Sequence, residues 1–226
     1  MRDVSDWLFL GYGERSTLEK EELRSPSGKT YIMKYPRPFD GKRTNWEDVN
    51  EVIAAKIAKL LGFPYVKAEI AYRKKRRGCL MVHFVEDLGA DLQEAGAVLL
   101  EAEFEDRYHF FQNKKLTSDD LIVGSFEMIQ DFSYFNHIKN EFIAMNIFDI
   151  LIGNQDRHPY NWQILFRQQD VFFSPFYDNG ASLGWQLSDS KLLELINDPI
   201  RMNSFYNRLR VKAGLLKLFK IGRAHV

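Results

Sequence analysis

The stretch from Phe148 to Asn161, F-D-I-L-I-G-N-Q-D-R-H-P-Y-N, concentrates polar groups where a core needs none. An apolar segment ends at Gly153, and Asn154, Asp156, Arg157, His158 and Asn161 then follow one another up to Trp162. Asp156 stands five residues ahead of Asn161. That is the spacing of a phosphoryl-transfer loop in which the acid accepts the proton of an attacking hydroxyl and the amide holds a magnesium ion. A second acid, Asp178, lies in F-Y-D-N-G, just after a hairpin expected from Trp162 to Phe166 and Val171 to Phe173 across the polar turn Arg167-Gln-Gln-Asp170. The hairpin brings Asn161 and Asp178 to one end of a small sheet. Two oxygen-donor side chains there suit a hard, octahedral cation that shares its shell with phosphates, which is magnesium. No Cys/His spacing for zinc is present, and His83, His109, His137 and His158 are scattered.

Such chemistry needs elements that hold a nucleotide. Gly11 and Gly13 follow the apolar run Leu8-Phe-Leu, where glycines let backbone N–H groups approach a triphosphate; a plain turn is the alternative. Thr30 to Tyr35 alternates as a strand that places Tyr31, Met33 and Tyr35 on one face and Ile32 and Lys34 on the other. Lys34 reads either as an edge charge or as a phosphate-neutralising lysine. Thr44-Asn-Trp-Glu47 fits a capping box that opens a helix with an apolar stripe at Val49, Val52, Ile53, Ile57, Leu60 and Leu61, ended by Gly62 and Pro64. Glu51 at the margin of that stripe suits an ion pair with Lys34, with Glu47 one turn earlier as the other candidate. Val66 to Tyr72 and Cys79 to Val85 read as paired strands. The run Arg73-Lys-Lys-Arg-Arg77 between them is either a phosphate-binding patch or a solvated hairpin tip. A linker, Glu86 to Gly89, follows His83-Phe84-Val85, where an adenine ring would meet backbone groups. From Asp91 onward the chain reads as helical and irregular. Helices are expected from Thr117, over Ile138 to Ile152 as the buried core of this half, and over Lys191 to Ile196 and Pro199 to Ala213.

The segments G-N-Q-D-R-H-P-Y-N-W and S-P-F-Y-D-N-G-A-S-L-G resemble the HipA-like serine/threonine kinases, whose loop carries a similar N-x-D-x-H-x-x-N-W and whose metal site is a similar Y-D. The resemblance extends upstream through Tyr31 to Lys34, Glu51 to Ala58 and Leu61 to Pro64, so it covers roughly Leu10 to Gly184. It implies an α+β, two-lobed protein-kinase-like fold, with a small antiparallel amino-terminal sheet plus one helix and a mostly helical carboxy-terminal lobe. It implies ATP and Mg2+ as cofactors and Asp156, Asn161 and Asp178 as catalytic residues, with Asn161 and Asp178 on the metal. Gly11, Gly13, Lys34, Glu51, His83, Phe84 and Val85 would bind the nucleotide. The implied partners are a protein substrate with a serine or threonine acceptor and, for a toxin of a toxin-antitoxin pair, a DNA-binding antitoxin. Ser16 and Thr17 would be sites of autophosphorylation. Two rivals use the same residues: a non-catalytic nucleotide-binding scaffold, and a kinase acting on a small molecule or lipid.

Composition sets the outer bounds. The chain has 226 residues, 45% apolar and 27% charged, as in ordinary globular proteins. Its 31 basic and 31 acidic residues cancel, so neither direct nucleic-acid binding nor a membrane surface is expected. One cysteine, Cys79, reads as a buried thiol in a reducing, cytoplasmic setting. The expected division is a nucleotide-binding lobe over 1–85 and a catalytic lobe, incomplete, over 86–220. Residues 221–226, I-G-R-A-H-V, back-translate to a sequence like a sequencing-library adapter and are expected to be non-native, with a genuine basic tail as the alternative.

Overall fold

The computed structural model describes residues 1–13, 18–39, 43–107 and 118–208; Ser16, Thr17, His109 and 221–226 lie outside them. Strands β1 (Arg2–Asp3), β2 (Leu8–Tyr12), β3 (Lys20–Arg24), β4 (Thr30–Lys34), β7 (Ala68–Arg73) and β8 (Arg76–Val82) form a six-stranded sheet in the order β1-β7-β8-β4-β3-β2. It is antiparallel except for β1, which runs parallel to β7. Strand alternation sorts its faces as the sequence predicts. Met33 and Tyr35 pack with Val4, Leu23, Ala71 and Leu80 on one side. Cys79 and Met81 meet Val52 and Val66 on the other, where helix α1 (Glu47–Leu61) lies. A two-residue pair, β5 (Pro38–Phe39) with β6 (Arg43–Thr44), leads into α1.

Helix α1 stops as expected, with Gly62 at φ 75 and Phe63 N–H donating to Ala58 O, a left-handed cap that glycine adopts without strain. Its beginning differs from the expected capping box. Trp46 is the N-cap without a side-chain cap bond, Asn45 Oδ1 takes the Glu47 N–H, and the Glu47 carboxylate binds Arg37 instead of reaching back. The buried face also differs: Ile53, Leu60 and Leu61 are exposed, while Glu47, Asp48, Asn50, Glu51 and the small Ala54, Ala55 and Ala58 face inward. The polar residues of the inner face dock on backbone and on charged groups, while Val52, Ala54 and Ala58 pack into the apolar clusters.

The basic run is a hairpin tip exposed at Lys74, Lys75 and Arg76, as the solvated-tip alternative expects, but its arginines are tied to acids. Arg73 is buried, 2.5 Å from Glu21, and donates to the carbonyls of Val4, Ser5 and Trp7. Arg76 pairs with Glu19 and Arg77 with Asp48, so only Lys74 and Lys75 form the turn, both with positive φ. The linker expected at Glu86 to Gly89 is also replaced, by a short helix, α2 (Phe84–Asp87), held to the sheet by Lys29–Asp87 and by Thr30 N–H donating to Glu86.

The second part centres on α5 (Phe135–Ile152), packed with α4 (Ser118–Asp131), α3 (Gly96–Glu103) and a three-stranded sheet. That sheet has the order β11 (Asp170–Phe173), β10 (Gln163–Arg167), β9 (Leu92–Ala95); its β9 edge lies where the sequence reads as helical. Trp162, Phe142, Phe148, Phe173 and Phe176 form its aromatic centre. One face of α5 is buried through Ile138, Phe142, Met145, Phe148 and Ile152, whereas Ile143, Ile147, Ile150 and Leu151 are exposed. Helices α6 (Asp189–Ile196) and α7 (Pro199–Arg208) follow. No helix among the described residues is long and apolar enough to cross a membrane.

Cys79 is 1% exposed and lies opposite Lys34 in the β4–β8 register. Burial pushes its thiol well above the ordinary value. Native protein at pH 8 is therefore expected to react with an aromatic disulfide about a hundredfold more slowly than denatured protein, since attack requires the thiolate of an opened state. The unfolded thiol ionises first, so this group's contribution to stability is complete below ~pH 8.5 and declines as pH rises above it. Rapid single-phase labelling of folded protein would contradict the burial.

Candidate functional site

Three segments converge. Lys34 comes from the end of β4, Glu51 from the second turn of α1, and Asp178 from the residue after Tyr177, where the backbone takes φ 58, uncommon for a residue with a side chain. Lys34 Nζ donates to Asp178 Oδ1 at 3.0 Å. The direct ion pair of Lys34 is with Asp178 rather than with Glu51, the partner expected from the sequence. Glu51 accepts instead from the backbone N–H groups of Asn179 and Gly180, at 2.8 and 3.0 Å. Glu51 thus acts on Lys34 through its charge and on Asp178 by fixing the two residues that follow it. Gly180 permits this approach, because a Cβ there would sit 2.8 Å from the Glu47 carbonyl oxygen on α1. The same helix grips one turn further along the chain, where Asn50 Nδ2 donates to Ser182 O at 2.7 Å.

The charges in this cluster constrain one another. Burial works against the Lys34 ammonium, but Asp178 and Glu51 outweigh it and hold lysine above its ordinary range. Burial likewise raises Glu51 despite Lys34 beside it. For Asp178 burial is overcome by Lys34, with smaller help from His158 and Arg157, so its carboxyl titrates below the ordinary range and stays ionised. An ionised Asp178 with one oxygen on Lys34 retains a second oxygen for a cation.

The loop after α5 is built around a residue to which the sequence reading gave no role. Arg157 is completely buried and makes five hydrogen bonds. Two go to Asp149 on the inner face of α5, one to Asn161 O, one to Tyr177 O and one to Asn179 Oδ1. One planar guanidinium therefore ties the helix, the loop and the Asp178 segment together. Asp149 is also held by Asn154 Nδ2, while Asn154 Oδ1 accepts the Asp156 N–H. Asn161 Nδ2 donates to the Asp156 carbonyl at 3.0 Å, which closes the loop and leaves Asn161 Oδ1 as the oxygen donor. An all-oxygen set of Asn161 Oδ1 and the Asp178 carboxylate fits magnesium.

The remaining candidates sit around this centre. The Phe84 ring packs on Tyr177, with centroids 5.2 Å apart, so the segment His83 to Val85 borders the residue preceding Asp178. Its carbonyls are engaged: Asp87 N–H donates to His83 O, Leu88 N–H to Phe84 O and Ala90 N–H to Val85 O, and the His83 N–H itself goes to Thr30 O. Phe84 and Val85, as the first residues of α2, are the positions whose N–H groups have no partner within the helix. Gly11 lies in β2 at an irregularity in the β2–β3 register, and Gly13 N–H donates to Lys20 O. The loop that joins them to β3 lies outside the described residues.

Together these define a two-lobed α+β fold of the kinase type, with acid, amide and acid held at the base of a sheet that contributes a lysine. The model of the HipA-like C-terminal domain matches residues 11–205, and the chain belongs to that family. Among solved structures it is similar to a Helicobacter pylori proinflammatory kinase, CtkA, with a TM-score of 0.68 and 17% identity over 89% of this chain and 68% of that one. It is also similar to HipA of Shewanella oneidensis MR-1, solved with HipB and operator DNA, with a TM-score of 0.48 and 15% identity over 78% of this chain and 45% of that one. No curated protein matches.

Proposed function

We propose that this protein is an ATP- and magnesium-dependent phosphotransferase whose acceptor is a protein serine or threonine hydroxyl. The observation that carries the reading is the Arg157 hub, which fixes Asn161 and the Tyr177 to Asn179 segment to one another while Lys34 and Glu51 set Asp178 from the opposite side. In this reading Asp156 orients the acceptor hydroxyl and takes its proton. Asn161 and Asp178 hold the cation, which when bound neutralises charge on the transferred phosphoryl group. Phe84 and Val85 offer backbone N–H groups to the base, and Gly11 and Gly13 shape the strand that covers the phosphates. The choice of a protein hydroxyl rests on the family, as do a toxin role and a DNA-binding antitoxin partner. The division into a nucleotide-binding and a catalytic lobe belongs to the same proposal.

Purified protein should be incubated with labelled ATP and a host lysate, with magnesium or with a chelator, and modified sites mapped by mass spectrometry. Magnesium-dependent label on serine or threonine is the expected outcome. Nucleotide binding without transfer would make the protein a scaffold, and label found only in small molecules or lipids would move the acceptor to that class.

A further inference from the structure

We propose that the cavity between the start of α1 and the segment after Asp178 receives one large apolar side chain of the acceptor protein, which thus docks there as well as at its reacting hydroxyl. The inference rests on the protein-acceptor reading above and adds a second contact surface to it. The cavity has a volume of about 250 Å3 and is lined by Trp46, Val49 and Asn50 at the start of α1, by Leu183 and Gly184, and by Leu192 of α6. Sites that enclose whole small-molecule ligands commonly run to ~300–1,000 Å3, so this one suits a single side chain better than a nucleoside. Among the described residues no charged side chain lines it, which argues against a phosphate, a carboxylate or an ammonium group as the occupant.

The polar groups of the wall narrow the choice. Trp46 Nε1 donates to Asp189 Oδ1 at 2.9 Å, so the indole presents only its ring to the cavity. Asn50 is 6% exposed and its Nδ2 donates to Ser182 O at 2.7 Å, while its Oδ1 accepts no hydrogen bond among the described residues. A buried amide oxygen without a donor leaves a place for one N–H. An apolar side chain beside one N–H is what a residue of a peptide chain presents. The position of the cavity ties that peptide to the acceptor. Gln155 N–H, next to Asp156, donates to Ala181 O at 3.0 Å and Leu183 N–H donates to Ile152 O at 2.9 Å, so the wall continues the strip of backbone that lies along the Asp156 loop. Leu183 and Gly184 take φ 53 and 74 where they form that wall. A leucine in the left-handed region is uncommon, and residues held so gather at ligand clamps and switch segments.

The test has two arms. In the first, the full chain is titrated with N-acetyl-leucine methylamide and with its alanine and glutamate analogues, and methyl NMR signals are followed. The leucine probe should shift the methyl groups of Val49, Leu183 and Leu192 and bind about tenfold or more tighter than the alanine probe, the size of burying one large apolar side chain. The glutamate probe should leave those signals unmoved. In the second arm Leu192→Trp, and the smaller Leu192→Phe, fill the cavity from α6, each checked by thermal melting. Leu192→Trp should abolish the probe shifts and cut the label on lysate proteins at least about fivefold, with ATP affinity within about threefold of wild type. Equal binding of the leucine and alanine probes, shifts confined to other residues, or undiminished labelling by folded protein with the cavity filled would each overturn the inference. The probe arm uses the wild-type chain and decides even if neither variant folds. Where the wild type labels lysate proteins, those outcomes leave the proposed function standing, whereas label found only in small molecules or lipids would remove the protein acceptor and the docking pocket with it.

Discussion

Arg157→Met is expected to lower unfolding stability by about 3–5 kcal/mol, the range for breaking a buried ion pair from one side. Methionine fills much of the space, so the loss comes from Asp149, which stays buried with only Asn154 Nδ2 to replace two guanidinium bonds. Asn161 O, Tyr177 O and Asn179 Oδ1 lose a donor at the same time. Arg157→Lys should fall between, since it keeps the charge but cannot reach five acceptors in one plane. Urea unfolding measures both. The decisive comparison is the double variant Asp149→Asn/Arg157→Met, expected to recover part of the loss because no uncompensated charge remains. Additive losses would mean that the hub acts through packing alone. A drop below about 1 kcal/mol for the single variant would show that water reaches Asp149 readily.

What the sequence makes legible here are local relations. The order and spacing of Asp156, Asn161 and Asp178, the β10–β11 hairpin between them and the glycine that ends α1 all lie in short windows where residue type constrains backbone. Relations between distant segments are not legible in the same way. Arg157 reads as a polar loop residue because Asp149, Tyr177 and Asn179 become its partners only after the helix, the loop and the hairpin have packed. One signal does exist: Asp149 falls on the same helical face as Phe142, Met145 and Ile152, and a carboxylate on a buried face needs a cation. Helical periodicity puts Glu51 on α1, yet its carboxylate caps two backbone groups 128 and 129 residues away, which no such periodicity encodes. Strand β9, Leu92-Gln-Glu-Ala95, has no β-branched residue and takes its conformation from pairing with β10. The basic run misleads for the opposite reason. Five like charges look solvated in one dimension, but the strand alternation and the turn at Lys74 and Lys75 send three arginines to three separate acids.

The strongest expected effects fall on the two acids, and they should differ in kind. Asp156→Asn keeps the shape of the residue and the backbone bonds of the loop, the N–H to Asn154 and the carbonyl to Asn161, but the amide cannot accept a hydroxyl proton. Nucleotide and magnesium binding should persist while transfer falls by ~10²- to 10⁴-fold, the usual loss for a general base. Asp178→Asn acts on charge. It removes the counter-ion of Lys34 and, on the proposed function, one anionic ligand of the cation, so magnesium-supported nucleotide affinity and transfer should fall together. The same change should alter acid stability. In the wild type the Asp178 carboxyl titrates below its ordinary value, so its stabilising contribution is complete above ~pH 4 and is lost as pH falls through the lowered folded value. An asparagine cannot titrate, and that part of the acid transition should vanish from the variant's pH profile. Melting temperature against pH, nucleotide titration with and without magnesium, and phosphate incorporation separate these outcomes. If both variants lost only stability, with transfer unchanged once corrected for folded fraction, Asp156 and Asp178 would be loop-stabilising acids. Undiminished incorporation by Asp156→Asn would by itself remove that residue from the chemistry, whatever Asp178 proved to do.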